Sequence, residues 1–313
     1  MHLQTKLTEP SLVKRRTHKW ARSWPLHLML LPAVVLTFIF HYVPMAGLII
    51  AFQDFKPYLG FTKSPWVGLE HFRFLFVYPD SKRVILNTLI ISSFKIVFHL
   101  AVPFFFALLL NEIRSSLFKR FVQTLVYLPH FLSWVVLGGI LLDMLSPQGG
   151  LVNRALQALG VHPVFFLGDE NWFLVTVITS DIWKEFGFST IVFLAALAGI
   201  NPSLYEAAEV DGASRWQQTL HVTIPALLPI TIVVGTLSLG NILNAGFDQI
   251  FNLYNPLVYS KGDIIDTFVY RMGIINGKMS FATVVSLFKS VIGFSLIVLA
   301  YRLAYRHANY RIF

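Results

Sequence analysis

The chain contains no cysteine, and only 13% of its 313 residues are charged. Without cysteine there is no disulfide, no thiolate nucleophile and no iron–sulfur cluster, and sulfur chemistry indicates no compartment. A soluble domain carries about 25% charged residues, whereas 55% of this chain is hydrophobic. A soluble fold of this size would expose too much apolar surface, so the composition predicts an integral membrane protein.

Short motifs of nucleotide, metal and nucleophile chemistry are also missing. The string nearest to a G-x-x-x-x-G-K-[ST] phosphate loop, at 273–279, is one residue short and lacks the hydroxyl that binds magnesium. No H-E-x-x-H or G-x-S-x-G pattern occurs, and no histidine pair has metal-ligand spacing on one helix. We therefore expect a chain that is not an enzyme and that holds no cofactor or metal.

Long apolar runs dominate the sequence instead. A helix needs roughly 20 apolar residues to cross the hydrocarbon core, and six segments suffice, at about 27–52, 84–110, 122–145, 171–199, 223–246 and 281–304. The first run is too long for a signal-peptide core and has no small-residue cleavage site after it, so we expect it to be retained. The prediction is an all-α bundle of six transmembrane helices. It forms one domain at 25–305, between a basic tail at 1–24 and a short tail at 306–313.

Basic residues give the expected orientation. They precede the first span (Lys6, Lys14, Arg15, Arg16, Lys19, Arg22), follow the second (Arg114, Lys119, Arg120) and close the chain (Arg302, Arg306, Arg311). The opposite segments also carry lysine and arginine, but acidic residues dilute them. The positive-inside rule then puts both termini in the cytoplasm. The net charge of +9 is better explained by anionic lipid headgroups than by nucleic acid, because the basic groups flank spans.

The polar segment at about 200–222 separates two long apolar runs. Asn201 and Pro202 form a turn, and Glu206 stands three residues after Ser203, which is the capping-box pattern of a helix start. Two alanines follow and allow close approach of another chain, and Gly212 interrupts the helix. We expect a short cytoplasmic helix that contacts another protein.

The spacing of this segment resembles the signature of permease subunits in binding-protein-dependent ABC importers: E-A-A, three residues, G, nine residues, then apolar-x-apolar-Pro ending at Pro225. The strings at 109–112, 118–120, 127–129 and 211–214 resemble the sugar-permease branch. Those at 42–45, 65–69 and 123–136 resemble a subgroup that imports oligo- and polysaccharides, including the alginate importer's permease. The similarity covers roughly 25–305.

This resemblance implies a type I ABC importer transmembrane domain in a bacterial inner membrane. It implies a second permease in a heterodimer, two ATPase subunits that bind ATP and magnesium, an extracytoplasmic binding protein and a glycan substrate. It also implies coupling to the ATPase through Glu206, Ala207, Ala208, Asp211, Gly212, Arg215 and Pro225. Among these, Glu206 would make the polar contact, the alanines would pack closely and Gly212 would provide the bend.

Polar residues inside the spans are the other candidates, because a charge facing lipid costs several kcal/mol. At helical spacing they form four stripes: Asp181, Lys184, Glu185 and Phe188; Asn241, Asn244 and Asp248; Ser286, Lys289 and Gly293; and Lys95 with His99. The predicted substrate pathway comprises Lys95, Trp183, Lys184, Glu185, Asn241, Asn244, Asp248 and Lys289. Amides, hydroxyls and aromatic rings along it would contact sugar hydroxyls and rings.

Ion pairing within the bundle is the alternative for the charged members. For the stripe at 181–185 it is the preferred interpretation, with Asp181 and Lys184 paired across one turn. Lys95 and Lys289 are open: unpaired in the cavity they would suit an anionic glycan such as a polyuronate, and otherwise each pairs with a carboxylate. The aromatic segments at 53–83 and 247–280 are expected to pack over the bundle mouth and meet the binding protein, or else to form a headgroup-level aromatic belt.

Other functions remain as alternatives. If the chain is an ABC importer permease, the alternative substrates are a neutral oligosaccharide, a glycerol phosphodiester and a peptide. A proton-coupled secondary transporter would use the same buried charges but should show an internal repeat. A membrane-embedded enzyme would need a paired acid and base, and only Asp181 with Glu185 comes close.

Overall fold

The computed structural model describes the backbone of residues 13–308 and the side chains of residues 24–302. The tails predicted at 1–24 and 306–313 therefore lie largely outside the described residues. The chain divides into two compact units, residues 1–50 and 51–313, and each is described by itself.

Fifteen α-helices are described. They are α1 Val13–Thr37, α2 Gly60–Lys63, α3 Glu70–Val77, α4 Pro79–Glu112, α5 Ser116–Tyr127, α6 Trp134–Met144, α7 Leu151–Ala158, α8 Glu170–Ala198, α9 Pro202–Val210, α10 Arg215–Gln218, α11 Ile224–Gly240, α12 Phe247–Leu253, α13 Tyr259–Gly262, α14 Ile265–Tyr270 and α15 Met279–Ala308. Short 3₁₀ segments lie at Val43–Phe52, Leu128–Phe131 and Pro256–Val258, and π turns at Phe38–Tyr42, Thr219–Thr223 and Arg271–Ile275. Within residues 13–308 the only β pairing is an isolated bridge between Gln53 and Trp66, so the all-α prediction is confirmed.

The structure has the predicted six spans if each of two bent helix pairs is counted as one span. Four helices are long and apolar enough alone, at Trp24–Phe52, Pro79–Glu112, Arg215–Gly240 and Met279–Arg302. The other two are Ser116–Phe131 with Trp134–Met144, bent by 101°, and Glu170–Ala198 with Pro202–Val210, bent by 66°.

Two of the predicted spans have the wrong shape. The third, 122–145, is broken where Leu132 is extended and Ser133 caps α6 by accepting from the Val136 N–H at 3.3 Å. The fifth ends at Gly240 rather than 246, and the chain then turns through Gly246 at φ +94°. A periodic apolar pattern continues across both breaks, so hydropathy alone does not locate them.

Three clusters of buried apolar side chains are described in the second unit, and one of them joins α4 and α8 to α12. Ile91 on α4 and Phe173 and Val177 on α8 share one buried cluster with Ile250 on α12. Gly187 permits the close approach of α8 to α5, because a Cβ there would lie 2.1 Å from the Val126 carbonyl oxygen. The backbones of α8 and α5 therefore pack in direct contact at this point.

The aromatic segments on either side of this core pack against each other at one end of the unit. Tyr78 and Phe268 have ring centroids 5.8 Å apart. Beside them Arg271 donates to buried Asp263 at 2.5 Å and lies 4.4 Å over the ring of Tyr259. Burial raises the pKa of Asp263 even though Arg271 opposes that shift. The two aromatic segments are therefore in contact with each other.

Candidate functional site

A cavity of about 260 Å³ lies between α4, α8 and the turn that follows α11. Its lining is mostly polar: Ser92, Lys95, Ile96, His99, Asp181, Ser238, Asn241, Asn244, Ala245 and Gly246. Lys95 is near the middle of the 34-residue α4, and Asp181 is near the middle of the 29-residue α8. The polar cavity is therefore far from either end of α4 and of α8.

A connected set of contacts surrounds the ammonium of Lys95. Its Nζ lies 3.2 Å from Asp181 Oδ1 and donates to the Ala245 carbonyl at 2.8 Å and to Gln249 Oε1 at 2.5 Å. His99 Nε2 lies 3.0 Å from Asp181 Oδ2. The side chains of Lys95 and Asp181 are only 8% and 12% exposed. Lys95 is thus paired with a carboxylate, as one of the two interpretations held, and does not face the cavity as a free cation.

Gln249 and Gly246 were missed by the sequence reasoning. Gln249 donates to the Val177 carbonyl and the Ser180 hydroxyl of α8, at 2.7 and 2.9 Å. A Cβ on Gly246 would lie 3.0 Å from Lys95 Nζ. The positive φ of +94° favours glycine here, because L side chains rarely adopt that conformation. No periodic signal marks these residues, because they lie beyond the helix end.

Asn241 and Asn244 line the cavity from the end of α11 and the turn after it, not from one face of a helix as predicted. Asn241 is the C-cap of α11, and Asn244 lies in the turn after it. Asn244 Nδ2 donates to Asn241 Oδ1 at 3.3 Å, and both side chains are exposed to the cavity side. Asp248 lies on α12, is exposed, and is not among the lining residues. The stripe prediction is wrong in its geometry, although two of its three residues share the cavity.

A second polar cluster occupies the break between α5 and α6. Lys184 Nζ donates to Glu185 Oε1 at 2.7 Å and to the His130 carbonyl at 3.0 Å. His130 Nδ1 lies 2.7 Å from Glu185 Oε2, and its ring stacks on Phe188 at 4.0 Å. The predicted Asp181–Lys184 pair is wrong, because Asp181 turns toward α4 while Lys184 turns toward this break.

The remaining pathway candidates lie apart from the cavity. Lys289 on α15 pairs with Asp266 on α14 at 2.6 Å, which is one of the two interpretations left open for it. Trp183 is half exposed on α8 and does not line the cavity. Ser286 and Gly293 share the α15 helix with Lys289, but neither lines the cavity.

The polar segment after α8 forms the expected short helix, α9. Its N-cap is Asn201, whose side chain accepts from the Ser203 N–H at 3.1 Å, so the Ser203–Glu206 capping box is wrong. Pro202 occupies the first turn, where its missing N–H costs nothing. Gly212 has φ +77° and ends the helix as predicted. The true capping box joins Ser214 and Gln217 at the start of α10.

Few contacts hold α9 to the bundle, and most of its surface is exposed. The Tyr205 hydroxyl lies 2.9 Å from Thr223 Oγ1, and Glu206 and Ala207 are exposed. Arg215 belongs to α10 rather than α9 and lies 3.5 Å from Glu112 at the end of α4. Thus α9 is an anchored polar helix outside the apolar part of the unit.

Apolar spans, a polar cavity halfway along them and an exposed helix at one end are features expected of the transmembrane domain of a transporter. Residues 99–309 match the family described as binding-protein-dependent transport system inner membrane component. The chain belongs to this family, and it is a multi-pass permease subunit of a sugar or oligosaccharide ABC importer.

The similar proteins include two from Bacillus subtilis strain 168. One is the polygalacturonan/rhamnogalacturonan transport system permease protein YteP, 42% identical over 93% of this chain and 91% of the relative. The other is protein LplB, 44% identical over 87% of this chain and 86% of that one. A crystal structure of a bacterial ABC transporter involved in the import of the acidic polysaccharide alginate matches with a TM-score of 0.87. Its identity is 40%, over 94% of this chain and 99% of the other.

Proposed function

We propose that this permease imports an acidic oligo- or polysaccharide and that the cavity between α4 and α8 contacts the glycan during passage. The observation that carries the proposal is a polar cavity halfway along otherwise apolar spans. Intramembrane ionisable groups normally face such pathways. The substrate class is supported by the relatives, whose names specify polygalacturonan, rhamnogalacturonan and alginate.

The charges in the cavity favour recognition by hydrogen bonds over attraction by free cations. Lys95 and Lys289 both have carboxylate partners, so neither supplies the unpaired positive charge that the anionic-glycan argument first required. The exposed amides of Asn241 and Asn244 offer donors and acceptors to sugar hydroxyls and carboxylates. The acidic character of the substrate therefore rests on the relatives.

For coupling we propose that α9 docks on an ATPase subunit. Support comes from the exposure of Glu206 and Ala207 and from the Tyr205–Thr223 contact, which links α9 to the fifth span. Both termini would then be cytoplasmic. ATP binding and hydrolysis on two ATPase subunits would move α9, and a second permease would complete the pathway. A solved complex of the alginate transporter contains an alginate pentasaccharide-bound periplasmic protein, so we include an extracytoplasmic binding protein.

The substrate proposal is tested with the transporter purified together with its partner subunits and reconstituted in vesicles. ATPase activity is measured with the binding protein and either an oligogalacturonate or a maltodextrin. We expect stimulation by the acidic glycan alone, and stimulation by maltodextrin alone would replace it with a neutral substrate. Activity indifferent to every glycan would favour the glycerol phosphodiester or peptide alternatives.

Coupling is tested separately with Ala207→Trp. The bulky ring should prevent close docking at α9 and abolish transport without loss of the folded bundle, because Ala207 is exposed. Ala158→Trp, on an exposed position of α7, is the matched control and should transport normally. Normal uptake by Ala207→Trp at equal expression would refute docking through this face of α9.

A further inference from the structure

A second cavity, of about 610 Å³, lies at the end of the unit opposite α9, between the first turns of α4 and α8 and beside α13. Three basic side chains line it: Lys82 and Arg83 on α4 and Lys261 on α13. No acidic residue is among its lining residues. The substrate pathway described above does not include this cavity.

Two of these cations have no carboxylate partner among the described residues. Arg83 donates to Asp80 at 2.6 Å. Lys261 donates to the neutral Asn171 side chain at 2.5 Å. Among the described residues no carboxylate lies within ion-pair distance of Lys82 or Lys261. The mouth of the cavity therefore carries uncompensated positive charge.

The deeper half of the same cavity is apolar. Leu86 and Ile90 line it on α4, and Leu174 lines it on α8. Leu86 and Ile90 follow Lys82 at i+4 and i+8, on the same helix face, and are 47% and 46% exposed. At 1.5 Å per residue, Ile90 lies about 12 Å deeper than Lys82 along α4. Positive charge at the helix end followed by apolar surface matches the order of headgroup and acyl chain in a phospholipid.

We propose that this cavity binds an anionic phospholipid, with the headgroup phosphate at Lys82 and Lys261 and an acyl chain along Leu86 and Ile90. An acidic glycan fits less well. A polyuronate carries a carboxylate on every sugar and would need basic side chains along the whole cavity, whereas those here are confined to its mouth. The α4 helix is also a membrane-span candidate, which places the apolar half of the cavity at the depth of the acyl chains.

The test uses the complete transporter, purified in detergent after incubation with an equal mixture of phosphatidylglycerol and phosphatidylcholine. Retained lipid is counted by native mass spectrometry. The variant is Lys82→Gln with Lys261→Gln, and the control is Lys56→Gln with Lys63→Gln, which removes two charges outside the cavity. Each basic residue near an anionic headgroup contributes about a fivefold gain in binding, so we expect about 30-fold weaker phosphatidylglycerol retention in the variant. The control should match the native chain.

A second variant keeps the test decisive if the charge variant is unstable. Ile90→Trp fills the apolar half without changing charge, and the half-exposed site tolerates a larger side chain. It should also lower phosphatidylglycerol retention. Equal retention by variant and control, or equal retention of both lipids by the native chain, would overturn the proposal. Specific capture of oligogalacturonate in place of lipid, lost in the same charge variant, would overturn it as well.

Discussion

Two clusters on α8, one turn apart, contain the same three kinds of side chain. Asp181 meets Lys95 and His99, and Glu185 meets Lys184 and His130. In each cluster the lysine also donates to a backbone carbonyl where a neighbouring span is interrupted. The acceptors are Ala245 in the turn after α11 and His130 at the break between α5 and α6.

Both lysines donate to a carbonyl at a helix interruption for the same physical reason. An interrupted helix leaves carbonyl groups without intrahelical donors, and inside a membrane water does not replace them cheaply. A lysine from an adjacent continuous helix supplies the donor, and a carboxylate from α8 balances its charge. The lysines therefore stabilise irregular backbone first, whatever else they do.

The clusters differ in what fills the space beside them. Phe188 stacks on the His130 ring, and Trp134 lies 5.6 Å from Lys184 Nζ, so aromatic rings pack around the second cluster. Beside Lys95 the neighbours are asparagine, serine and glycine, and a cavity of about 260 Å³ remains. The Lys95–Asp181 pair thus borders a candidate site, whereas the Lys184–Glu185 pair is packed against the break between α5 and α6.

Lys95→Met should have the largest effect on stability. It would leave buried Asp181 without its cation and the Ala245 carbonyl without a donor, and breaking a buried pair costs about 3–5 kcal/mol. The measurement is the free energy of unfolding of the purified complex, or its melting temperature where unfolding is irreversible.

The double variant Lys95→Met with Asp181→Leu is the control for this prediction. It removes both charges together and should recover most of the lost stability, while transport stays impaired. A double variant as unstable as Lys95→Met alone would show that the Ala245 and Gln249 contacts matter more than the ion pair.

Lys184→Met should have an intermediate effect. Glu185 keeps its contact with His130 and is 25% exposed, so solvent compensates part of the lost charge. The main cost is the His130 carbonyl left without a donor, about 1–3 kcal/mol. The same unfolding measurement applies, and a loss equal to that of Lys95→Met would remove the distinction between the two clusters.

The sequence predicts residues correctly where a helix is regular and fails where a helix is interrupted. Lys95 and His99 were placed on one face because α4 is continuous there, and both contact Asp181. The six spans and the exposed α9 were likewise predictable from apolar runs and a polar interruption.

Residues at interruptions were not predictable in this way. Helical spacing places Asn241 and Asn244 on a helix that ends before them in the structure. It also pairs Asp181 with Lys184, because both lie on α8. The sequence pattern predicts on which face of a helix a residue lies, but it does not predict which neighbouring helix packs against that face. Lys184 and Asp181 point to different helices only because α4 and the α5–α6 break pack on adjacent sides of α8.

His99→Gln should have the smallest effect on stability and provides the finest test of the comparison. His99 is 28% exposed, and Lys95 still neutralises Asp181 after the change, so the cost should be about 1 kcal/mol or less. Because the side chain lines the cavity, glycan-stimulated ATPase activity should change more than the melting temperature. His130→Gln is the matched control: it loses the stacking on Phe188 and should lower the melting temperature with little change in the glycan concentration needed for half-maximal activity. If the two variants behave alike in both measurements, the open space beside Lys95 has no role that the packed cluster lacks.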